Sequence, residues 1–198
     1  MTARLFPLPA KCWFPSRTSS VWSASGVQCL PPPKRLRLRD GRSVVVRPIR
    51  QSDADGLLQF NARLSPETRR SRFFTAGNTK RRVDAERLAA ASGKHDCVLV
   101  ATDPAWSREH IVAVAQLADY GDGVEAALVV ADEYQGVGLG SELFRRLLDA
   151  GHDRGVGRVE ATVLSGNGRI LSILRQHDAK LGPSENGVVS VTIPRTAA

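Results

Sequence analysis

The residues best suited to chemistry form a glycine-dense segment, Gln-Gly-Val-Gly-Leu-Gly, at positions 135–140. An apolar run at 126–131 precedes it and an amphipathic stretch from Ser141 follows it, an order that predicts a strand, a loop and a helix. Such a loop directs backbone N–H groups and the positive end of the helix dipole at one point. Its glycines let the backbone approach a ligand closely. A phosphate group is the ligand that this arrangement suits.

Two common phosphate-binding motifs fit this segment poorly. A P-loop requires Gly-Lys-Ser/Thr at the helix start, whereas Gly140 is followed by Ser141 and Glu142. The dinucleotide-binding fingerprint requires a third glycine where Ser141 stands. Glu160 lies at a suitable distance for its ribose-binding acid, but it falls near the start of an apolar strand rather than at the end. A third motif family is therefore favoured over an ordinary glycine-rich turn.

The pattern Gln-x-x-Gly-x-Gly, formed by Gln135, Gly138 and Gly140, resembles the pyrophosphate loop of the GNAT superfamily of acyl-CoA-dependent N-acetyltransferases. The resemblance implies that acetyl-CoA is the acyl donor. It also implies that Val130 supplies backbone groups to the pantetheine arm. Asn167 either bonds the same arm or only caps its helix. The residues implied to offer N–H groups to the pyrophosphate are Gln135, Gly136, Val137, Gly138, Leu139, Gly140 and Ser141.

A second segment makes the resemblance to the GNAT superfamily more specific. Residues 64–74, Leu-Ser-Pro-Glu-Thr-Arg-Arg-Ser-Arg-Phe-Phe, are similar to a helix of bacterial protein-lysine acetyltransferase domains, and Ser65-Pro66-Glu67 is a typical helix start. This similarity implies a protein lysine as acceptor. Small amines such as polyamines or aminoglycosides are the alternative acceptors. The helices predicted over 53–74 carry more arginines than acids, which favours the protein acceptor.

Glu125 is the candidate general base. A lysine amine has a pKa of about 10.4 and is almost wholly protonated at neutral pH, so a carboxylate must accept its proton before it attacks a thioester. In the GNAT superfamily the matching strand position often carries a glutamate, and Glu-x-Ala-x-Val-Val from Glu125 resembles it. A solvated glutamate at a strand start is the alternative. The expected reaction is direct displacement, without a covalent intermediate or a metal.

Two positions depart from the family pattern. The tyrosine that often protonates the leaving thiolate would stand at position 174, which is Leu174, and neither Tyr120 nor Tyr134 matches it. The usual glycine at the end of that helix is Asp178, a residue type that tolerates the left-handed conformation. A thiolate can depart without a protein acid, so activity is still expected. A catalytically inactive acyl-CoA-binding regulatory module is the other possibility.

The remaining patterns predict a single α+β domain. Strands are expected at 43–49, 97–101, 111–118, 124–130, 159–164 and 188–193, and helices at 52–63, 65–74, 81–91, 141–153 and 167–177. This order matches the GNAT fold, a mixed and mostly antiparallel sheet flanked by helices. Residues 43–198 are assigned to that domain. Residues 1–42, rich in proline, serine and basic residues, are assigned to an unstructured extension.

The charge distribution and the cysteine content indicate which kinds of partner and which cellular compartment to expect. The chain has a net charge of +8, but seven of its basic residues and no acid lie in residues 1–39, which leaves 21 basic against 20 acidic residues beyond. The domain is therefore not expected to bind nucleic acid. No apolar run approaches the ~20 residues of a membrane span. Three cysteines without a paired spacing indicate a reducing compartment, and we expect a cytoplasmic protein.

Overall fold

The computed structural model describes residues 31–73, 82–91, 96–106, 110–120 and 123–194. In these residues one eight-stranded sheet has helices on both faces. The strands are β1 (Lys34–Arg37), β2 (Ser43–Pro48), β3 (Asp96–Asp103), β4 (His110–Asp119), β5 (Val124–Val130), β6 (Arg158–Leu164), β7 (Lys180–Glu185) and β8 (Val188–Pro194). The helices are α1 (Ala54–Arg63), α2 (Pro66–Phe73), α3 (Arg82–Ala90), α4 (Leu139–His152) and α5 (Gly168–Arg175), with short 3-10 turns at Gln51–Asp53 and Asp132–Tyr134.

The sheet divides between β5 and β6. The strand order is β1-β2-β3-β4-β5-β6-β8-β7, and every neighbouring pair is antiparallel except β5 and β6. Those two run parallel, joined through α4, and only Glu125 and Glu160 are registered with each other. Beyond that pair the strands separate. The predicted fold class, a mixed and mostly antiparallel sheet, is confirmed.

The centre of the sheet is a rigid support for β5. Every residue of β3 and β4 after the first is buried, as expected for strands covered on both faces. On one face, Val114 and Gln116 of β4 lie beside Leu57 and Phe60 of α1. On the other face, Leu117 lies against α4. β5 pairs with β4 over seven residues, so its position is fixed by the buried core.

A buried ion pair joins β2 to α1. The Arg47 guanidinium donates to both oxygens of Asp53 at 2.7 and 2.8 Å, and both side chains are buried. Asp53 also accepts from the backbone N–H of Arg50 at 2.7 Å. The segment at 46–50, Val-Arg-Pro-Ile-Arg, therefore has a structural role, because it fixes the direction in which the chain enters α1.

Two strands are missing from the sequence-based prediction, and one of them changes the domain boundary. Within residues 1–42, assigned above to an unstructured extension, Lys34–Arg37 form β1 against β2, and Leu38 is buried. The second missed strand is β7, which is exposed at all six positions and includes Gly182 and Pro183. β7 has no apolar face, and the apolar alternation around β1 is limited to Leu36 and Leu38, which is too short to mark a strand by itself. Residues 1–30 lie outside the described residues, and an extension there stays a prediction.

Candidate functional site

A cleft of about 1060 Å³ opens where β5 and β6 separate, and α2, α4 and α5 complete its walls. Glu125 lies at one end of β5, and the glycine loop lies beyond the other end, about 17 Å along the strand from Glu125 to Val130. Most of the predicted site residues line this cleft, namely Glu125, Val130, Gln135, Gly136, Gly138, Gly140, Ser141 and Asn167. The side chains of Val137 and Leu139 pack against the core instead, so only their backbones are available to a ligand.

The glycine loop forms the start of α4. Gly136 and Gly138 have φ values of 75° and 90°, in the left-handed region that glycine adopts without a steric penalty. The first hydrogen bond of the helix runs from the N–H of Glu142 to the carbonyl of Gly138, at 3.2 Å. The N–H groups of Leu139, Gly140 and Ser141 therefore precede the helical ladder. They form a cluster of donors at the positive end of a helix, suited to an anion.

Gly140 also has a packing role. A Cβ there would lie 3.1 Å from Cδ1 of Ile173 and 3.6 Å from Cγ2 of Val130. The missing side chain thus lets α4 lie close to both α5 and β5. A substitution at Gly140 would disturb this packing as well as any ligand.

Glu142, the acidic residue in the first turn of α4, has its negative charge compensated by neighbouring arginines. The Glu142 carboxylate accepts hydrogen bonds from Arg145 at 2.9 Å and from Arg146 at 2.8 Å. The hydrogen bonds from Arg145, and secondarily from Arg146, lower the pKa of Glu142 despite its partial burial. Its negative charge is therefore compensated, and it opposes a bound anion less than an unpaired carboxylate would.

The Gln135 side chain connects three walls of the cleft. Its Nε2 donates to the carbonyl of Val130 at 3.0 Å and to Oγ1 of Thr68 at 3.1 Å. Its Oε1 accepts a hydrogen bond from the Arg169 guanidinium. Gln135 thus joins the end of β5 to α2 and α5, a role that its place in the loop motif does not reveal.

Asp132 anchors the start of α2 to the same region. Its carboxylate accepts from the N–H of Ser65 at 2.9 Å, from Oγ of Ser65 at 2.7 Å and from Oγ1 of Thr68 at 2.6 Å. Burial would raise the pKa of Asp132, but the hydrogen bonds from Thr68 and Ser65 outweigh that effect and lower it. Ser65 also caps α2, since its Oγ accepts from the N–H of Thr68 at 3.1 Å. The predicted helix start at Ser65 is confirmed.

The open edge of β5 faces the gap in the sheet. The N–H of Ala131 donates to the carbonyl of Val112 on β4 at 2.8 Å. Because backbone groups alternate in direction along an antiparallel strand, the polar backbone groups of Val130 and Leu128 are directed away from β4. The carbonyl of Val130 already accepts from Gln135, and its N–H is directed toward the cleft.

Glu125 stands where β5 and β6 are still in register. It is half-buried, pairs across the ladder with Ala118 of β4 and lines the cleft. Tyr120, which does not match the tyrosine position of the family pattern, lines the same cleft. Tyr134, in contrast, is buried and donates to the carboxylate of Asp103.

The helix after β6 keeps its shape despite the two departures from the family pattern. Asn167 caps α5, because its Oδ1 accepts from the N–H of Ile170 at 3.2 Å. Leu174 is buried in the core, and Asp178 adopts a φ of 54°, the left-handed conformation expected for it. Capping uses Oδ1 of Asn167, so contact with a ligand would fall to its Nδ2 group.

Three residues of the cleft were not predicted. Arg39 lies across the glycine loop, Thr68 bonds both Gln135 and Asp132, and Arg169 bonds Gln135. Each is brought to the loop by tertiary packing, so the loop motif carries no signal for it.

No group of three or more His, Cys, Asp or Glu side chains in the described residues is placed to hold a metal ion. The same part of the chain contains no helix with the length and hydropathy needed to cross a membrane.

The fold and the cleft define an α+β protein with a cluster of N–H donors at the start of a helix and a carboxylate at the far end of the adjoining strand. The model of the acetyltransferase (GNAT) domain family matches residues 43–180. The chain therefore belongs to the GNAT acetyltransferase family.

Known relatives agree with this family. An acetyltransferase of Pseudomonas aeruginosa is 35% identical over 123 residues, which are 60% of this chain and 64% of that relative. The crystal structure of the GNAT domain of S. lividans PAT is similar with a TM-score of 0.68 and 25% identity, over 82% of this chain and 96% of that one. The spermidine N-acetyltransferase from Vibrio cholerae, solved with CoA and spermine, has a TM-score of 0.60 over 77% of this chain and 95% of its own. At 14% identity, the last shows the fold alone.

Proposed function

We propose that the protein transfers an acetyl group from acetyl-CoA to a primary amine, and that the acceptor is a protein lysine. The observation that carries this proposal is the continuity of the cleft, which joins the N–H cluster at the start of α4 to the carboxylate of Glu125. A ligand bound by its phosphates at the loop could extend along β5 toward that carboxylate. Family membership supports the same chemistry.

The residues present suit the donor. The N–H groups of residues 138–141 would hold the pyrophosphate, with charge-assisted hydrogen bonds to backbone donors. The open edge of β5 at Val130 would bond the amide groups of the pantetheine arm, which resemble peptide groups. Because the carbonyl of Val130 already accepts from Gln135, we expect the N–H of Val130 to make the main contact.

Glu125 would prepare the acceptor. Acetyl-CoA supplies a thioester, whose acyl carbon is open to attack by a neutral amine. Glu125 accepts the proton that the ammonium must lose, directly or through one water. The amine nitrogen then bonds the acyl carbon, the carbon–sulfur bond breaks, and the thiolate leaves with its electron pair. The second proton that the nitrogen loses to become a neutral amide passes to the thiolate or to solvent. Leu174 cannot protonate that thiolate, and the proposal requires no acid for this step.

The acceptor is assigned from α2. Its sequence resembles that of bacterial protein-lysine acetyltransferase domains, and Arg70, Ser71 and Arg72 from this helix line the same cleft as Glu125. A small amine is the second candidate, because a structural neighbour is a spermidine N-acetyltransferase. Acetylation of a lysine-rich protein and of spermidine, measured under the same conditions, separates these acceptors.

The decisive test replaces Glu125 by Gln, which keeps the shape of the side chain and removes its basicity. We expect Glu125→Gln to bind acetyl-CoA as the wild type does and to lose about 10²–10⁴-fold in turnover at neutral pH. Glu160→Gln is the matched control, since Glu160 is the register partner of Glu125 but is exposed and paired with Arg158. Its turnover should not change.

Three results would contradict the proposal in different ways. Wild-type turnover by Glu125→Gln from about pH 6 to about pH 9 would exclude Glu125 as the general base. Tight binding of acetyl-CoA without release of free thiol, over a broad panel of amines and proteins, would instead support a regulatory acyl-CoA-binding module. Absence of acetyl-CoA binding in calorimetry would reject the whole proposal.

A further inference from the structure

Arg39 reaches the glycine loop from outside the region that defines the family. It follows β1 and precedes residues 43–180, the part of the chain that the family model matches. Its backbone N–H donates to the carbonyl of Val137 at 3.2 Å. This hydrogen bond fixes the turn between β1 and β2 directly against the loop.

The Arg39 side chain extends over Gly138. A Cβ built on Gly138 would lie 3.5 Å from Nε of Arg39 and 3.8 Å from its Cγ and Cδ. Arg39 also lines the cleft. A guanidinium is thereby held beside the N–H cluster that begins α4.

This guanidinium is available to a ligand. The acid next to it in sequence, Asp40, is paired with Arg42 at 2.6 Å. In the part of the chain that the structure describes, no carboxylate forms an ion pair with Arg39. An exposed cation without an acidic partner, beside a set of N–H donors, adds to their attraction for an anion.

We propose that Arg39 binds the pyrophosphate of CoA and that the turn between β1 and β2 is part of the cofactor site. The inference rests on the proposed function, because it takes CoA as the ligand of the loop. It assigns the pyrophosphate rather than the 3′-phosphate, since the side chain lies over Gly138, at the loop itself. The planar guanidinium can donate two parallel hydrogen bonds to phosphate oxygens, which a lysine cannot do.

Calorimetry with CoA and with dephospho-CoA, which lacks only the 3′-phosphate, tests this assignment. We expect Arg39→Ala to weaken the binding of both ligands by about tenfold, the usual effect of one charge-assisted contact. Arg39→Lys should recover part of the loss. Arg37→Ala is the control, because this substitution removes the same charge as Arg39→Ala. Arg37 is exposed on β1 and does not line the cleft.

Each result has a distinct meaning. Equal losses for both ligands in Arg39→Ala, with wild-type affinity in Arg37→Ala, support the assignment. Loss for CoA alone would place Arg39 on the 3′-phosphate and overturn it. Unchanged affinity in Arg39→Ala, or an equal loss in Arg37→Ala, would also overturn it. If the wild-type protein binds neither ligand, the proposed function itself fails. Circular dichroism of each variant verifies that the fold is retained.

Discussion

Gly138 meets two constraints at one position. Its φ of 90° would cost a residue with a side chain about 1–2 kcal/mol, and a Cβ there would contact Arg39. The glycine therefore maintains both the conformation of the loop and the position of a neighbouring cation. The backbone strain can be separated experimentally from the effect on a ligand, because the chain offers a second glycine with a similar φ.

We predict that Gly138→Glu binds CoA more than tenfold more weakly than the wild type, because it adds a negative charge beside the phosphates and displaces Arg39. Gly155→Glu is the control for backbone strain. Gly155 has a φ of 85°, lies in the turn after α4 and is not part of the cleft. Calorimetry should show a loss for Gly138→Glu alone, while thermal unfolding shows similar destabilisation of both variants. Equal CoA affinities would place the phosphate site elsewhere.

Features that depend on neighbouring residues could be predicted from the sequence. The strand–loop–helix order around the glycine loop and the left-handed conformation of Asp178 follow from local patterns, whereas the role of Glu125 rests on the family resemblance and stays a prediction. Arg39 could not be found in this way, because its contact with Gly138 arises only when the turn after β1 packs on the loop. The partners of Gln135 have the same origin, since Thr68 and Arg169 come from separate helices.

Among the elements, α2 is joined to the loop region by hydrogen bonds of its first turn. Few of its residues are held by the core, and none of them is fully buried. Its position depends instead on the hydrogen bonds of Ser65 and Thr68 to Asp132, and of Thr68 to Gln135. An element held by polar contacts at one end is sensitive to the loss of a single hydroxyl group.

We predict that Thr68→Val raises the KM for the acceptor roughly fivefold, equivalent to about 1 kcal/mol, with little change in CoA affinity. Valine keeps the shape of threonine but removes both hydrogen bonds of Oγ1. Thr68→Ser retains the hydroxyl and should restore most of the wild-type KM. Steady-state kinetics with both substrates and calorimetry with CoA provide the measurements. A change in kcat with an unaltered acceptor KM would argue against this positioning role.

The elements that sequence patterns failed to predict are the two edges of the sheet. β1 consists mainly of charged residues and β7 is exposed at every position. β7 is a strand through its pairing with β8 alone, and β1 adds to its pairing with β2 only the packing of Leu36 on the core. The central strands were predicted because strands that are buried on both faces consist of continuous runs of apolar residues, which are visible in the sequence.

For the whole molecule, the gap between β5 and β6 separates two parts of one sheet. On one side of it are β1–β5, and on the other are β6, β8 and β7, with Glu125 and Glu160 as the registered pair between them. A ligand that fills the cleft would contact both parts. Its binding free energy should therefore appear in the stability of the entire domain.

We predict that CoA at about 100 times its Kd stabilises the protein by about 2.7 kcal/mol, which raises the Tm by about 5–10 °C for a domain of this size. Gly138→Glu at the same CoA concentration should show at most about half of this increase, because a tenfold or greater loss of affinity leaves no more than about 1.4 kcal/mol of stabilisation. Thermal unfolding followed by circular dichroism gives both values. Hydrogen exchange should show that CoA protects the amides at the end of β5. An equal increase in Gly138→Glu would indicate that CoA stabilises the protein from another site.

The gap between β5 and β6 also leaves most of one edge of β5 without a neighbouring strand. The outer edges carry features that discourage the addition of another strand, namely the basic residues of β1 and Pro183 in β7. The inner edge of β5 has neither, since residues 126–130 are all apolar. Ligand-free protein thus exposes the kind of edge from which aggregation begins. Its solubility should depend on the supply of acetyl-CoA, so that the donor substrate also protects the enzyme that uses it.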